Sequence, residues 1–327
     1  MKNLITRFRT RKGEAGMHQL YAISFSVIAV VALVTLILVN SRADNTGQAT
    51  NIANATPSVG SLITATSSGT SDISSLPLTE ATTKAIYVRG TATDANGYGD
   101  IDAANQYTMK TYRTNVSSCN TEDGTNCYIN TAGTGVTLSN CSSGTTCDFE
   151  ITKAIQYYAD ATDAGTNSGT NWTATVTVTD DSSATGSASD TFEVATLTAL
   201  TVTASVDYGT LAFDAYSAIQ TLTVANSGNE IIDYTVTAPN MTCSLQGAIP
   251  TGNTHYALAS FDSTGYDDTP TTSKLMTTSA VAVDDSVAIA SDGGASNSSF
   301  YTMLKIPANG VKGSCTNTVA FTATTNG

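Results

Sequence analysis

Positive charge, histidine and tryptophan are all scarce in this chain. Lys and Arg number only 14 in 327 residues, against 27 Asp and Glu, for a formal net charge of -13. So few cations cannot neutralise a run of phosphates, which excludes a nucleic-acid binder of the usual electrostatic kind. The two histidines, His18 and His255, leave little supply for histidine-based catalysis. A Ser-His-Asp arrangement beyond the N-terminal segment would have to use His255, and no G-x-S-x-G elbow supplies the serine. H-E-x-x-H is also missing, and Gly97-Tyr98-Gly99 fails as a dinucleotide fingerprint because Asp102 stands where the third glycine is needed. On these grounds the chain reads as not an enzyme. Thr, Val and Tyr fit pleated strands better than helix interiors, which argues against a helical bundle, and beyond the N-terminal span no stretch keeps a 3.6-residue period for twelve residues.

What the chain has instead is Ser and Thr, 92 residues or 28%. A hydrophobic share of 41% excludes wholesale disorder, and the length suits two domains. The apolar period is two. Trp172, Ala174, Val176 and Val178 alternate with Thr173, Thr175, Thr177 and Thr179, as in a strand with one buried face. The same alternation runs through Leu200, Val202, Ala204, Val206 and Tyr208, through Tyr234, Val236 and Ala238, and through Val319, Phe321 and Ala323. Turn signals at Asn96-Gly97, Asp123-Gly124, Ser227-Gly228 and Asn309-Gly310 separate short strands. The pattern predicts an all-β chain of two antiparallel sandwiches, residues 58–196 and 197–327, with Trp172 in the core.

The N-terminus sets the location. Residues 1–19 carry Lys2, Arg7, Arg9, Arg11 and Lys12, and Leu20–Val39 then runs twenty residues without a charge. As a helix this spans roughly 30 Å, the thickness of a hydrocarbon core. Only Arg42 follows closely, so the positive-inside rule puts the N-terminus in the cytoplasm and the rest outside. Residues 40–57 form a polar linker closed by Pro57. Three processing fates are open: an uncleaved signal anchor, cleavage after Ala43, or cleavage near Gly13 or Gly16. The third rests on Arg11-Lys12-Gly13 ahead of the apolar run, which resembles the prepilin signal of type IV pilins and archaeal flagellins. That resemblance implies self-assembly into a filament, and it departs from the pilin pattern at the fifth mature position, His18 or Tyr21 rather than Glu.

Two further resemblances cover most of residues 57–327. ATDANGYGDID (92–102), YYADATDAG (157–165) and NWTATVTVTDD (171–181) resemble immunoglobulin-like and PKD-like domains of secreted and surface proteins. VDYGTL (206–211) followed by TLTVANSGNEIIDYTV (221–236) is similar to hydin-like immunoglobulin-like domains. Both imply a sandwich fold and hardly specify activity.

All six cysteines follow the span: Cys119, Cys127, Cys141, Cys147, Cys243 and Cys315. An even count in an exported chain favours three disulfides. Cys243 with Cys315 is the natural pair of the second half, and closing that loop is worth about 4 kcal/mol in the chain-entropy model. The other four allow three connectivities, of which 119–127 with 141–147 is the most local. Spacings of eight and six with no nearby His do not suit zinc.

One ion site is suggested. Asp94, Asn96, Asp100 and Asp102 crowd one turn, and Asp180-Asp181 ends a strand able to lie beside it, a donor set that suits calcium. Asx-rich turns capped by their own side chains look the same in sequence. Six N-x-S/T sequons, Asn54 among them, match the number chance gives for this composition. Lys110 and Lys153 sit in strand-like context as candidates for isopeptide crosslinks, though solvated lysines read the same way. The acidic pairs Asp267-Asp268 and Asp284-Asp285 do not read as a hydrolytic dyad, since adjacent strand residues face opposite ways. The expectation is a tethered cell-surface structural or adhesive protein with protein or carbohydrate partners and no nucleic acid. The alternative is a pilin-like filament subunit.

Overall fold

The computed structural model describes residues 50–326 except Ser117, Ala204 and Gly293. The predicted span at residues 20–39, with the basic segment before it, lies outside the described residues. Among the described residues no helix is long and apolar enough to cross a membrane.

Ten strands build the first half. They are β1 (Ser58–Val59), β2 (Ile63–Ala65), β3 (Ser75–Leu76), β4 (Lys84–Thr93), β5 (Tyr107–Arg113), β6 (Cys127–Asn130), β7 (Val136–Ser139), β8 (Thr146–Ile155), β9 (Trp172–Thr179) and β10 (Thr185–Val194). One sheet has the order β1-β4-β8-β7 with β2 also on β4, and the other has the order β3-β10-β9-β5-β6. Every pairing is antiparallel except β3 with β10. The alternation expected in β9 is realised: Trp172, Ala174, Val176 and Val178 are fully buried, while Thr175, Thr177 and Thr179 stay half-exposed. Ile86, Val88, Phe149 and Ile151 of one sheet share a core with Tyr107, Met109 and Trp172 of the other. The rings of Tyr107 and Phe149 meet across it at 5.3 Å. Each such side chain removed from water contributes about 1.5–3 kcal/mol. Trp172 satisfies its indole N–H on the Asp160 carbonyl at 2.8 Å.

The second half holds β11 (Leu200–Val202), β12 (Gln220–Asn226), β13 (Ile232–Thr237), β14 (Met241–Cys243), β15 (Ala248–Ile249), β16 (Thr254–Ala257), β17 (Lys274–Leu275), β18 (Val281–Val287), β19 (Asn297–Leu304), β20 (Cys315–Thr316) and β21 (Ala320–Thr325). The sheet β11-β12-β19-β16-β17 faces the sheet β18-β13-β21, and β15-β14-β20 forms a small third sheet. Phe300 of the first packs against Tyr234 and Phe321 of the second, with ring centroids 6.2 and 5.1 Å away. Among the described residues, the strand expected at residues 200–208 pairs over Leu200–Val202, and the Thr203 N–H still reaches the Thr223 carbonyl. Beyond it Val206 and Tyr208 still pack on buried clusters, so apolar alternation there records packing without a ladder. One short helix, Ser263–Asp267, starts on Asp262, whose carboxylate accepts the N–H groups of Thr264 and Gly265.

Three disulfides close the described chain: Cys119–Cys127, Cys141–Cys147 and Cys243–Cys315. They bear out the local pairing among the first four cysteines, and no described cysteine is free. Disulfides of this number belong to an oxidising, extracytoplasmic compartment.

The two cores divide between Leu197 and Leu200, and polar side chains seal the passage from one to the other. Asn229, only 1% exposed, accepts from the Leu197 N–H and donates to the carbonyls of Ala159 and Ala195. Ser227 donates its hydroxyl to Glu80 and its carbonyl receives the Ala81 N–H. On the far side Asp292 takes the Gly124 N–H at 2.8 Å and the Tyr158 hydroxyl at 2.9 Å.

Candidate metal centre

Asp94 follows β4, Asp100 ends the 3-10 turn Tyr98–Asp100, and Asp180 follows β9. Strands β4 and β9 belong to opposite sheets, so these carboxylates meet at one end of the first sandwich. One ligand oxygen from each lies within 4.8 Å of the others.

Local backbone geometry accounts for part of the arrangement. Asp180 Oδ1 accepts from the N–H groups of Ser182 and Ala184, an Asx turn. Asp94 Oδ1 likewise accepts from the Asn96 N–H at 2.7 Å. Asp100 Oδ1 takes the Asp181 N–H at 3.3 Å. Turn capping explains nothing about the remaining Asp94 oxygen. Asp94 is fully buried, and its Oδ2 has no hydrogen-bond partner. A buried carboxylate oxygen with no donor is costly, and here two more carboxylates stand beside it. None of the ion pairs among the described residues involves Asp94, Asp100 or Asp180.

The electrostatics follow the geometry. Desolvation holds the Asp100 carboxyl above its ordinary range. The Asp181 N–H opposes that shift, and the charges of Asp94, Asp180 and Asp181 add to it. Asp180 is held below its ordinary range, first by the amide of Asn54 and then by its backbone donors, against desolvation. Asn54 Nδ2 donates to Asp180 Oδ2 at 2.8 Å, and the next residue, Ala55, donates its N–H to Asn96 Oδ1 at 2.6 Å.

The predicted ligand set is corrected in two places. Asp102 is exposed and outside the cluster, because the 3-10 turn carries Asp100 inward and leaves Asp102 on the rim. The Asn96 side chain is exposed and engaged by Ala55, so it borders the cluster rather than joining it. In the sequence Asn54 stands out only as a sequon in a linker. Its place beside Asp180, 126 residues away, depends on how that linker folds back, and nothing local announces it.

The other candidate residues are dispersed. His255 is 6% exposed, stacks on Tyr266 at 3.6 Å and bonds through Nδ1 with Ser273 and Thr269. Ser273 is itself buried, and its hydroxyl donates to the Gly265 carbonyl. Asp284 is exposed while Asp285 accepts from the Tyr234 hydroxyl and Ser298, so that pair does face opposite ways. Asp267-Asp268 sits at the end of the short helix, not on a strand. Lys153 pairs with Glu122 at 2.8 Å and donates to the Ile129 carbonyl, and Lys110 reaches Asn120 in the open. A half-open cavity of about 460 Å³ enters the second sandwich between β11 and the approach to β21. Leu222, Met276, Phe300 and Phe321 line it, and Tyr208 is its one titratable side chain.

No protein-family model matches the chain, and no curated protein matches it. Among solved structures, a secreted serine protease, VesC from Vibrio cholerae, aligns over 76% of this chain at 10% identity with a TM-score of 0.19. The chain spans about half the length of that structure, 49%. The expectation that the chain is not an enzyme is withdrawn here, because it rests on missing motifs alone and missing motifs do not exclude catalysis. A likeness at this distance assigns no catalytic residue either.

Proposed function

We propose that this protein is a cell-surface structural or adhesive protein. Residues 20–39 tether it, and two immunoglobulin-like sandwiches, divided near residue 196, are displayed outside. The observation that carries the reading is the junction. Buried Asn229 on one side and Asp292 on the other join the halves through backbone carbonyls, a backbone N–H and a tyrosine hydroxyl. A stiff, disulfide-closed spacer of this kind suits load and display. Past residue 43 the chain has 8 Lys and Arg against 26 Asp and Glu, an acidic balance that suits protein or carbohydrate contact.

A filament subunit is the second reading, favoured by Arg11-Lys12-Gly13 ahead of the apolar run. N-terminal sequencing of the native protein separates the two. A start at Met1 supports the tethered protein and sinks the filament reading. A start at Glu14 or Met17 does the opposite, and a start at Asp44 means a released protein and overturns both.

A further inference from the structure

Residues 54–57, the end of the linker, do not hang free of the first sandwich. Pro57 is buried, and a Cβ added at Gly186 on β10 would stand 2.0 Å from the Pro57 carbonyl oxygen. Just before it, Asn54 and Ala55 make their bonds to Asp180 and to Asn96, both at the three-carboxylate cluster. The cluster and the seat of the linker are one place.

We infer that Asp94, Asp100 and Asp180 bind a calcium ion, and that the ion fastens residues 54–57 to the sandwich through Asn54. The second observation, beyond the acidic cluster itself, is Asp94. Its side chain is fully buried, Oδ1 is used by the Asn96 N–H, and Oδ2 is left without a donor beside two carboxylates. A cation supplies what that oxygen lacks. Calcium takes six to eight oxygens in irregular geometry at 2.3–2.6 Å, whereas magnesium demands a near-ideal octahedron at 2.0–2.1 Å. Three carboxylates drawn from two sheets and a turn, with an amide and water to fill the shell, fit the former. Asn54 is suited to both states, because its amide is nearly the same shape either way round. With Nδ2 inward it donates to Asp180; turned over, it presents Oδ1 to the ion. Binding therefore exchanges one hydrogen bond for a metal bond and draws the linker tighter. The inference goes beyond the surface reading and stands whether residues 20–39 are kept or processed.

The test uses the full-length protein in detergent, stripped with chelator and titrated with calcium chloride while hydrogen exchange is followed over residues 50–60. One ion should bind per chain, with an affinity on the order of 10⁻⁴–10⁻³ M, the range of extracellular modules. Exchange of the Ala55 amide should slow at least tenfold. Asp94→Asn should weaken binding at least tenfold. Asn54→Ala, an exposed position that does not threaten folding, should lose the linker protection and weaken binding less. Absence of saturable binding, or binding that Asp94→Asn leaves unchanged in a folded variant with all three disulfides, overturns the site. Binding with no change in exchange at residues 54–56 overturns the fastening. Equal occupancy by magnesium at equal concentration overturns the choice of calcium.

Discussion

Asn229 Nδ2 donates to the carbonyl of Ala159 at 2.9 Å, joining residues 70 positions apart through a side chain that is 1% exposed. The same amide reaches Ala195, and its oxygen takes the Leu197 N–H. One side chain thus satisfies three backbone groups where the chain passes from the first core to the second. Asn229→Ala strands those groups, and unsatisfied buried groups cost about 1–3 kcal/mol each before water enters. The expected loss is about 2–4 kcal/mol in urea unfolding. Asn229→Asp should cost at least as much, because a carboxylate would then face two carbonyls. A loss under about 0.5 kcal/mol, the range of ordinary surface changes, would show that the junction is not sealed by this residue.

Gly228 tests the same turn sterically, at the Leu197 carbonyl that accepts the Asn229 N–H. A Cβ there would lie 1.9 Å from the Leu197 carbonyl oxygen, a backbone atom that cannot swing aside. Gly228→Ala should therefore destabilise by about 3 kcal/mol or more, in the class of overpacking with backbone shift. Gly99→Ala is the control, since nothing lies within 4 Å of its added methyl. Thermal unfolding of the two variants side by side checks it, and equal melting temperatures would refute the close approach.

Strand alternation in β9 and β13 is legible in sequence because each strand has one buried face and a period of two admits one reading. Turn residues and the even cysteine count are legible for the same local reason. The strand at residues 200–208 is shorter than its pattern suggests. Apolar alternation reports which side chains are buried, and Val206 and Tyr208 are packed, but it does not report whether a neighbouring strand is there to pair. At the candidate site the carboxylates Asp94, Asp100 and Asp180 can be picked out, since Asx-rich turns at strand ends are a local signal. Asn54 and the exclusion of Asp102 cannot. The first depends on a contact across 126 residues, and the second on the direction one 3-10 turn gives its last side chain.

The disulfide Cys243–Cys315 pins β14 to β20 at a register pair, its ends 72 positions apart in sequence. Among the described residues, the buried apolar cluster around the small third sheet holds only Met241, Ile249, Leu304 and Val311 besides Cys243, so the crosslink carries much of its order. Replacing both cysteines by serine should cost about 2–5 kcal/mol, the range for a native bridge in an exported domain. Equilibrium unfolding of the double variant without reductant measures it. An unchanged midpoint would mean that the hydrophobic contacts of this sheet suffice alone.

His255 supplies a pH dependence whose sign is fixed by its surroundings. Burial holds the imidazole below its ordinary range, against backbone hydrogen bonds at Tyr266 and Gly252 and the charge of Asp267. The folded protein therefore keeps this ring neutral at a pH where the unfolded chain, with a histidine near 6.5, has begun to take up a proton. Stability linked to His255 is whole above about pH 6.5 and is lost as the pH falls from there to the lower value of the folded state. Both proteins carry the same carboxyl groups, so the difference between their curves isolates the imidazole. His255→Phe keeps the stack on Tyr266 at some cost in stability and removes the proton. Urea midpoints measured between about pH 5 and 7.5 should fall with acid in the parent and fall less in the variant. Parallel curves for the two proteins would mean that His255 is not held neutral by its pocket.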